Sequence, residues 1–176
     1  MKIATAILAA AIAMPALTST IAWSASEAVV KVWTPPSQKT QAQALVDGLM
    51  KDNPGLLSVT FHGVPVGSAN EAYAMFAGSF PDRVGKASAD DDIMVAAKGF
   101  TIIDPRYGKN DPEPKFLVLV PLRDAKSKNV GCIVFAFKNP KDSGKTEAQF
   151  LASANTMRDG IQSKIADHAA LFAAAK

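Results

Sequence analysis

A single cysteine, Cys132, stands in the 176 residues of this chain, and that excludes an intrachain disulfide. Only two histidines occur, His62 and His168, far apart and without a neighbouring cysteine, which argues against a zinc site. No C-x-x-C-H run is present for haem attachment. Serines are plentiful, but no G-x-S-x-G elbow exists, because Gly67-Ser68 and Gly78-Ser79 lack the required glycine spacing. Asp142-Ser143-Gly144-Lys145-Thr146 ends like a phosphate-binding loop, yet Asn139 stands where the first glycine is required. No block of like charges occurs either. The 19 basic and 16 acidic side chains are dispersed, and a formal charge of +3 without a basic run excludes a nucleic-acid surface. Asp90, Asp91 and Asp92 are consecutive, so on a helix they point to different sides. No spaced acidic partners follow them as in a calcium loop. No cofactor, no metal and no catalytic set is therefore expected.

What is present begins with a leader. Lys2 supplies a positive start, and Ile3 to Leu17 is a mostly apolar run, short for a membrane span. Ala22 and Ser24 are the small residues of a cleavage site that would leave Ala25 as the new N-terminus. Residues 1–24 are thus expected to be a signal peptide, and 25–176 one domain, periplasmic or secreted. A retained anchor is the alternative. No cysteine directly follows the apolar run, so no lipoprotein anchor forms there.

Hydropathy and turn residues divide the remainder, which at 48% hydrophobic and 20% charged residues suits one packed core. Thr34-Pro35-Pro36-Ser37 reads as a helix start, followed by Ala42, Leu45, Val46, Leu49 and Met50 at helical spacing. Asn53-Pro54-Gly55 stops that helix. Leu56 to Phe61 is β-rich, Val64 to Asn70 a loop, and Ala72 to Phe80 a strand. Ser88-Ala89-Asp90-Asp91 has the form of a capping box, opening a short helix with Ile93, Met94 and Ala97 as its apolar side and Gly99 as its end. Phe100 to Ile103 reads as strand and Asp104 to Gly108 as turn or loop. Phe116 to Leu122 and Val130 to Phe137 are the strongest strands. In the last of these both faces are apolar, which places it centrally, with Cys132 as a buried, inert thiol. A long amphipathic helix from about Thr146 to Phe172 carries the stripe Phe150, Ala154, Met157, Ile161, Ile165 and Phe172.

Gly85-Lys86-x-Ser88-x-Asp90-Asp91-Asp92, then Pro121-Leu122-Arg123-Asp124, then Val130-Gly131-x-Ile133 with Phe135-x-Phe137-Lys138, resembles extracellular single-Cache, PAS-like sensor domains over roughly Thr40 to Lys164. The resemblance implies an α+β fold: an antiparallel sheet of about five strands with first and last strands adjacent. An N-terminal helix, a short middle helix and a long C-terminal helix accompany it. It also implies capture of a small ligand, such as a carboxylate or amine, rather than chemistry.

Four residues are candidates for that ligand. Arg83 and Arg106 sit in loops beside strands and could clamp a carboxylate. Tyr107 could stack or hydrogen-bond, and His62 closes the first strand beside Gly63. Surface arginines held by Asp82 and Asp104, and a packed or dipole-compensating His168, are the plainer readings. The expected partners are a small molecule, a signalling protein or a second copy, with no stable membrane insertion after cleavage. A small hydrolase using His62 and a ligand-free interaction module remain as alternatives.

Overall fold

A computed structural model describes residues 30–106, 114–139 and 143–175. Residues 1–24, expected to be a signal peptide, Tyr107 and the Asp111 to Glu113 segment lie outside the described residues.

The first helix, α1 (Gln41–Asp52), starts at Thr40, whose hydroxyl accepts from the Gln43 amide, and ends at Asn53. The prolines at 35 and 36 precede the helix instead of opening it. Ala42, Leu45, Val46 and Leu49 form its buried face. Strands β1 (Leu56–Gly63) and β2 (Ala74–Gly78) follow, then α2 (Asp90–Lys98). Strands β3 (Ile102–Arg106), β4 (Lys115–Arg123) and β5 (Asn129–Lys138) lead into α3 (Glu147–Gln162). Asp104 and Pro105, expected in a turn, continue β3. Proline is tolerated there because β3 is an edge strand, where a missing N–H breaks no ladder.

All neighbouring strands are antiparallel, in the order β2-β1-β5-β4-β3. The first and last strands are therefore adjacent, and β5 is central. Its Ile133, Phe135 and Phe137 enter the main core with α1 and α3, whereas Cys132 and Val134 meet α2 on the opposite face. Two apolar faces on one strand thus serve two covering layers. Aromatic packing ties α3 down: Phe150 stacks on Phe116 at 4.5 Å and tilts against Phe137 at 5.3 Å.

The C-terminal helix is shorter than its periodicity suggests. It stops at Gln162, and a separate 3-10 turn covers Ala169–Phe172. The apolar stripe still reaches the core, because Ile165 is buried after the break and its carbonyl accepts from Ala125 in the β4–β5 hairpin. Hydrogen bonding to the hairpin replaces helical bonding at that point. Phe172 then packs between Trp33 and Phe76, and Ala173 and Ala175 pair with Gln41 and Lys39, clipping the C-terminal segment to the start of α1.

Candidate functional site

Between α2 and the sheet lies a buried polar cluster. His62 is 5% exposed and Asp92 is 8% exposed, which makes their pairing a condition of burial. His62 Nδ1 lies 3.1 Å from Asp92 Oδ2 and 3.1 Å from Ser88 Oγ, and Nε2 lies 2.8 Å from Thr60 Oγ1. The tautomer that suits these partners carries its proton on Nδ1, donating toward Asp92, while Nε2 accepts from the Thr60 hydroxyl. Asp92 also accepts from the Ala89 amide at 3.1 Å. Ala89, not Ser88, is thus the first cap residue of α2, and the side chain three residues on reaches back to it. Ser88 turns to His62 instead. This rotates α2 relative to its expected face: Asp92 and Val95 are buried, and Met94 and Ala97 face water.

Burial, assisted by Lys86, holds the His62 pKa down at about 4. Burial, with Asp91 adding to it, raises Asp92 to about 6 against the lowering effects of the Ala89 amide and Lys86. Burial first, then Asp92 and Asp91, pushes the Cys132 thiol well up, so it remains a neutral packing group beside His62.

The two shifts act on stability with opposite sign. Depressed His62 contributes stability that is present above its ordinary value of 6.5 and is lost as pH falls toward 4. Raised Asp92 contributes stability that is present below its ordinary value of 3.8 and is lost as pH rises through 6. Each amounts to about 3 kcal/mol at roughly 1.4 kcal/mol per pKa unit, so in the wild type they nearly offset. Removing one partner should unmask the other. From pH 6.5 to 4, Asp92→Asn should lose melting temperature and His62→Gln should gain it, while the wild type changes little. Parallel thermal-melt profiles for all three proteins would contradict this.

A cavity of about 320 Å³ opens at the Gly63 end of β1. Val64, Pro65, Ala96 and Val130 give it apolar walls, and Tyr73, Lys128, Asn129 and His168 bring polar groups. The hairpin that carries Lys128 is held by Asp124, whose Oδ1 accepts from the Lys126 and Lys128 amides at 2.9 Å each. Asn129 donates to the Val95 and Ala96 carbonyls at the end of α2, fixing hairpin and helix together. Gly131 forms part of the floor, where its backbone approaches the His62 carbonyl too closely for a side chain.

Among the described candidates, the structure places His62, Arg83 and the Arg106 backbone on different parts of the fold. His62 is buried under α2 behind the cavity floor. Arg83 ends an exposed 3-10 turn, its guanidinium 4.9 Å from the Phe80 ring centroid. The backbone of Arg106 pairs with Lys115 on β3, three strand spacings from β1, or roughly 14 Å, and level with Leu56 at the far end from His62. Tyr107 lies outside the described residues. Lys128, Asn129 and His168 were not singled out as ligand contacts by sequence reasoning. Gly131 did carry a signal, since a lone glycine in a strongly apolar strand marks a close backbone approach.

Five antiparallel strands in this order, with α1 and α3 on one face and α2 on the other, decide the architecture. The fold is α+β, a five-stranded antiparallel sheet covered by helices on both faces. Two solved structures are similar to it. The E. coli DcuS sensor domain has 17% identity and a TM-score of 0.38, with 66% of this chain and 71% of that one covered. The GAF domain of an Acinetobacter phosphoenolpyruvate-protein phosphotransferase has 15% identity and a TM-score of 0.44, covering 71% and 83%. No family model matches the sequence, and a search of curated proteins found no match. The α+β fold expected from the sequence, with its five-stranded antiparallel sheet, N-terminal helix, short middle helix and longer C-terminal helix, is the one found.

Among the described residues no group of three His, Cys, Asp or Glu side chains is placed to hold a metal ion, and no helix is long and apolar enough to cross a membrane.

Proposed function

We propose that this chain is an exported sensor-type domain that captures a small molecule and reports it to a partner protein. The supporting observation is the cavity beside β1, β5 and α2: about 320 Å³, with apolar walls and a few polar groups converging from separate elements. That combination is what small-ligand sites use, apolar area for affinity and sparse polar groups for orientation. Thermal-shift screening of the purified protein against metabolites tests the reading. Saturating ligand should stabilise by about 2.7 kcal/mol at a hundred times Kd. Turnover of the same compound would overturn the non-enzymatic reading, and an absence of any saturable stabilisation would favour a ligand-free interaction module.

The site drawn from sequence, His62 with Arg83, Arg106 and Tyr107, is the competing location. Once a ligand is found, Arg83→Ala, Arg106→Ala and His62→Ala variants that still fold discriminate the two. Wild-type affinity in all three, together with loss in Tyr73→Ala, places the ligand in the cavity.

One observation favours a hydrolase as second reading: Thr60, His62 and Asp92 follow the hydroxyl, imidazole, carboxylate order of a nucleophile, base and orienting acid, at 2.8 and 3.1 Å. Against it, Thr60 is 7% exposed and shut in between β1 and α2. Ser88, the better exposed hydroxyl, shares Nδ1 with Asp92, so it has no opposite ring nitrogen to act as its base.

Export carries its own test. Protein recovered from the periplasm should begin at Ala25 by intact mass, and a mass retaining Met1 to Ser24 would overturn cleavage at this point.

A further inference from the structure

We propose that the cavity at the Gly63 end of β1 takes a small organic anion, gripped between Lys128 of the β4–β5 hairpin and His168 of the C-terminal segment. The inference rests on the cavity being a ligand site and goes on to name the ligand's charge and the residues that read it. Among the described residues that line the cavity, none is acidic, whereas Lys128 brings an ammonium and Tyr73 and His168 bring groups able to donate hydrogen bonds. The Lys128 ammonium makes no ion pair with a described carboxylate, in contrast to Lys39, which is paired with Asp47. The Asn129 amide NH2 is engaged by the α2 carbonyls, so Lys128, Tyr73 and His168 remain to meet a ligand. Val64, Pro65 and Val130 make the rest of the wall apolar, which suits an anion carrying a hydrocarbon or aromatic body and disfavours a bare inorganic ion.

Sequence reasoning assigned anion recognition to arginines. The fold gives it to two residues forty positions apart, joined only because Ile165 docks on Ala125 of the hairpin and carries the following segment across the cavity mouth. His168 also packs its ring edge-on against Phe172 at 5.2 Å, and Phe172 packs on Trp33 and Phe76. A ligand held by His168 therefore bears on the aromatic group beneath the terminal clip.

Three near-isosteric probes, benzoate, benzamide and benzamidine, separate charge from shape. Titration of the mature chain, followed by amide NMR shifts, should show benzoate moving Tyr73, Lys128, Gly131 and His168 saturably, with benzamide weaker and benzamidine without effect. Lys128→Met and His168→Leu should each weaken benzoate by about tenfold or more, as loss of a charge-assisted partner does. Both positions lie at the surface or half-buried, so the variants should fold, and unchanged β-sheet amide shifts would verify this. Benzamidine binding as tightly as benzoate would overturn the anion assignment while leaving a cavity ligand site intact. Unchanged benzoate affinity in both variants would overturn the grip. No saturable shift at these residues with any probe overturns the proposal. In that case a metabolite that stabilises the protein but maps elsewhere would also remove the cavity from the functional reading, whereas a neutral metabolite that maps here would preserve it.

Discussion

Ile161→Asp is expected to unfold the protein or to lower its melting temperature by at least about 10 °C, at 2–4 °C per kcal/mol for a chain of this size. Ile161 is 5% exposed in the main core, on the α3 side that lines a groove facing α1, and α3 packs on β4 and β5 of the sheet. The substitution removes about 1.5–3 kcal/mol of apolar burial. It also places a carboxylate where the surrounding core residues are apolar, which adds a desolvation cost of several kcal/mol unless the group protonates or the helix moves. Ala152→Asp, on the exposed side of the same helix, is the matched control and should melt close to the wild type. Circular dichroism melts of both variants decide the matter. Coincident melting of Ile161→Asp with the wild type would mean the stripe is not buried against the sheet.

Gly131→Ala should cost about 3 kcal/mol, from a strained backbone and a steric clash together. Gly131 sits in the central strand at φ +155, and a Cβ there would lie 2.6 Å from the His62 carbonyl oxygen. The obstructing atom is backbone in the paired strand, so no side-chain rotation relieves it. β1 and β5 must separate locally, in a sheet where β5 holds both neighbours. Because Gly131 also forms cavity floor, the variant should lose ligand affinity beyond what its stability loss explains. Gly48→Ala is the control: a Cβ at Gly48 meets nothing within 4 Å, and alanine is the better helix former. Denaturant unfolding of the two variants should give opposite signs. Equal stability of Gly131→Ala and wild type would contradict the close approach.

Much of the fold was legible because its signals are local. The apolar runs Phe116 to Leu122 and Val130 to Phe137, the stop at Asn53-Pro54-Gly55 and the spacing of Leu45, Val46 and Leu49 are consequences of backbone preference and periodicity, readable without neighbours. Where reading failed, the competing force came from elsewhere in the chain. α2 presents Asp92 and Val95 to the sheet, because His62 offers Asp92 a partner that Ile93 and Met94 cannot match. Pro105 stays in strand because β3 is the sheet edge, a fact about strand order and not about proline. The break after Gln162 follows from the bond between Ala125 and Ile165, two residues forty positions apart.

The candidate site was less legible than the fold for the same reason. The sequence offers His62 as a ligand contact, but its burial and its partners Thr60, Ser88 and Asp92 appear only once α2 is laid across β1. The sequence by itself determined the α+β class, the central place of β5 and the inertness of Cys132, since hydrophobic pattern and turn chemistry act over a few residues. Only the tertiary structure decided which donors share a cavity. Lys128 and His168 meet because the C-terminal segment is carried back over the β4–β5 hairpin, and contacts between residues so far apart in sequence leave no trace in local periodicity.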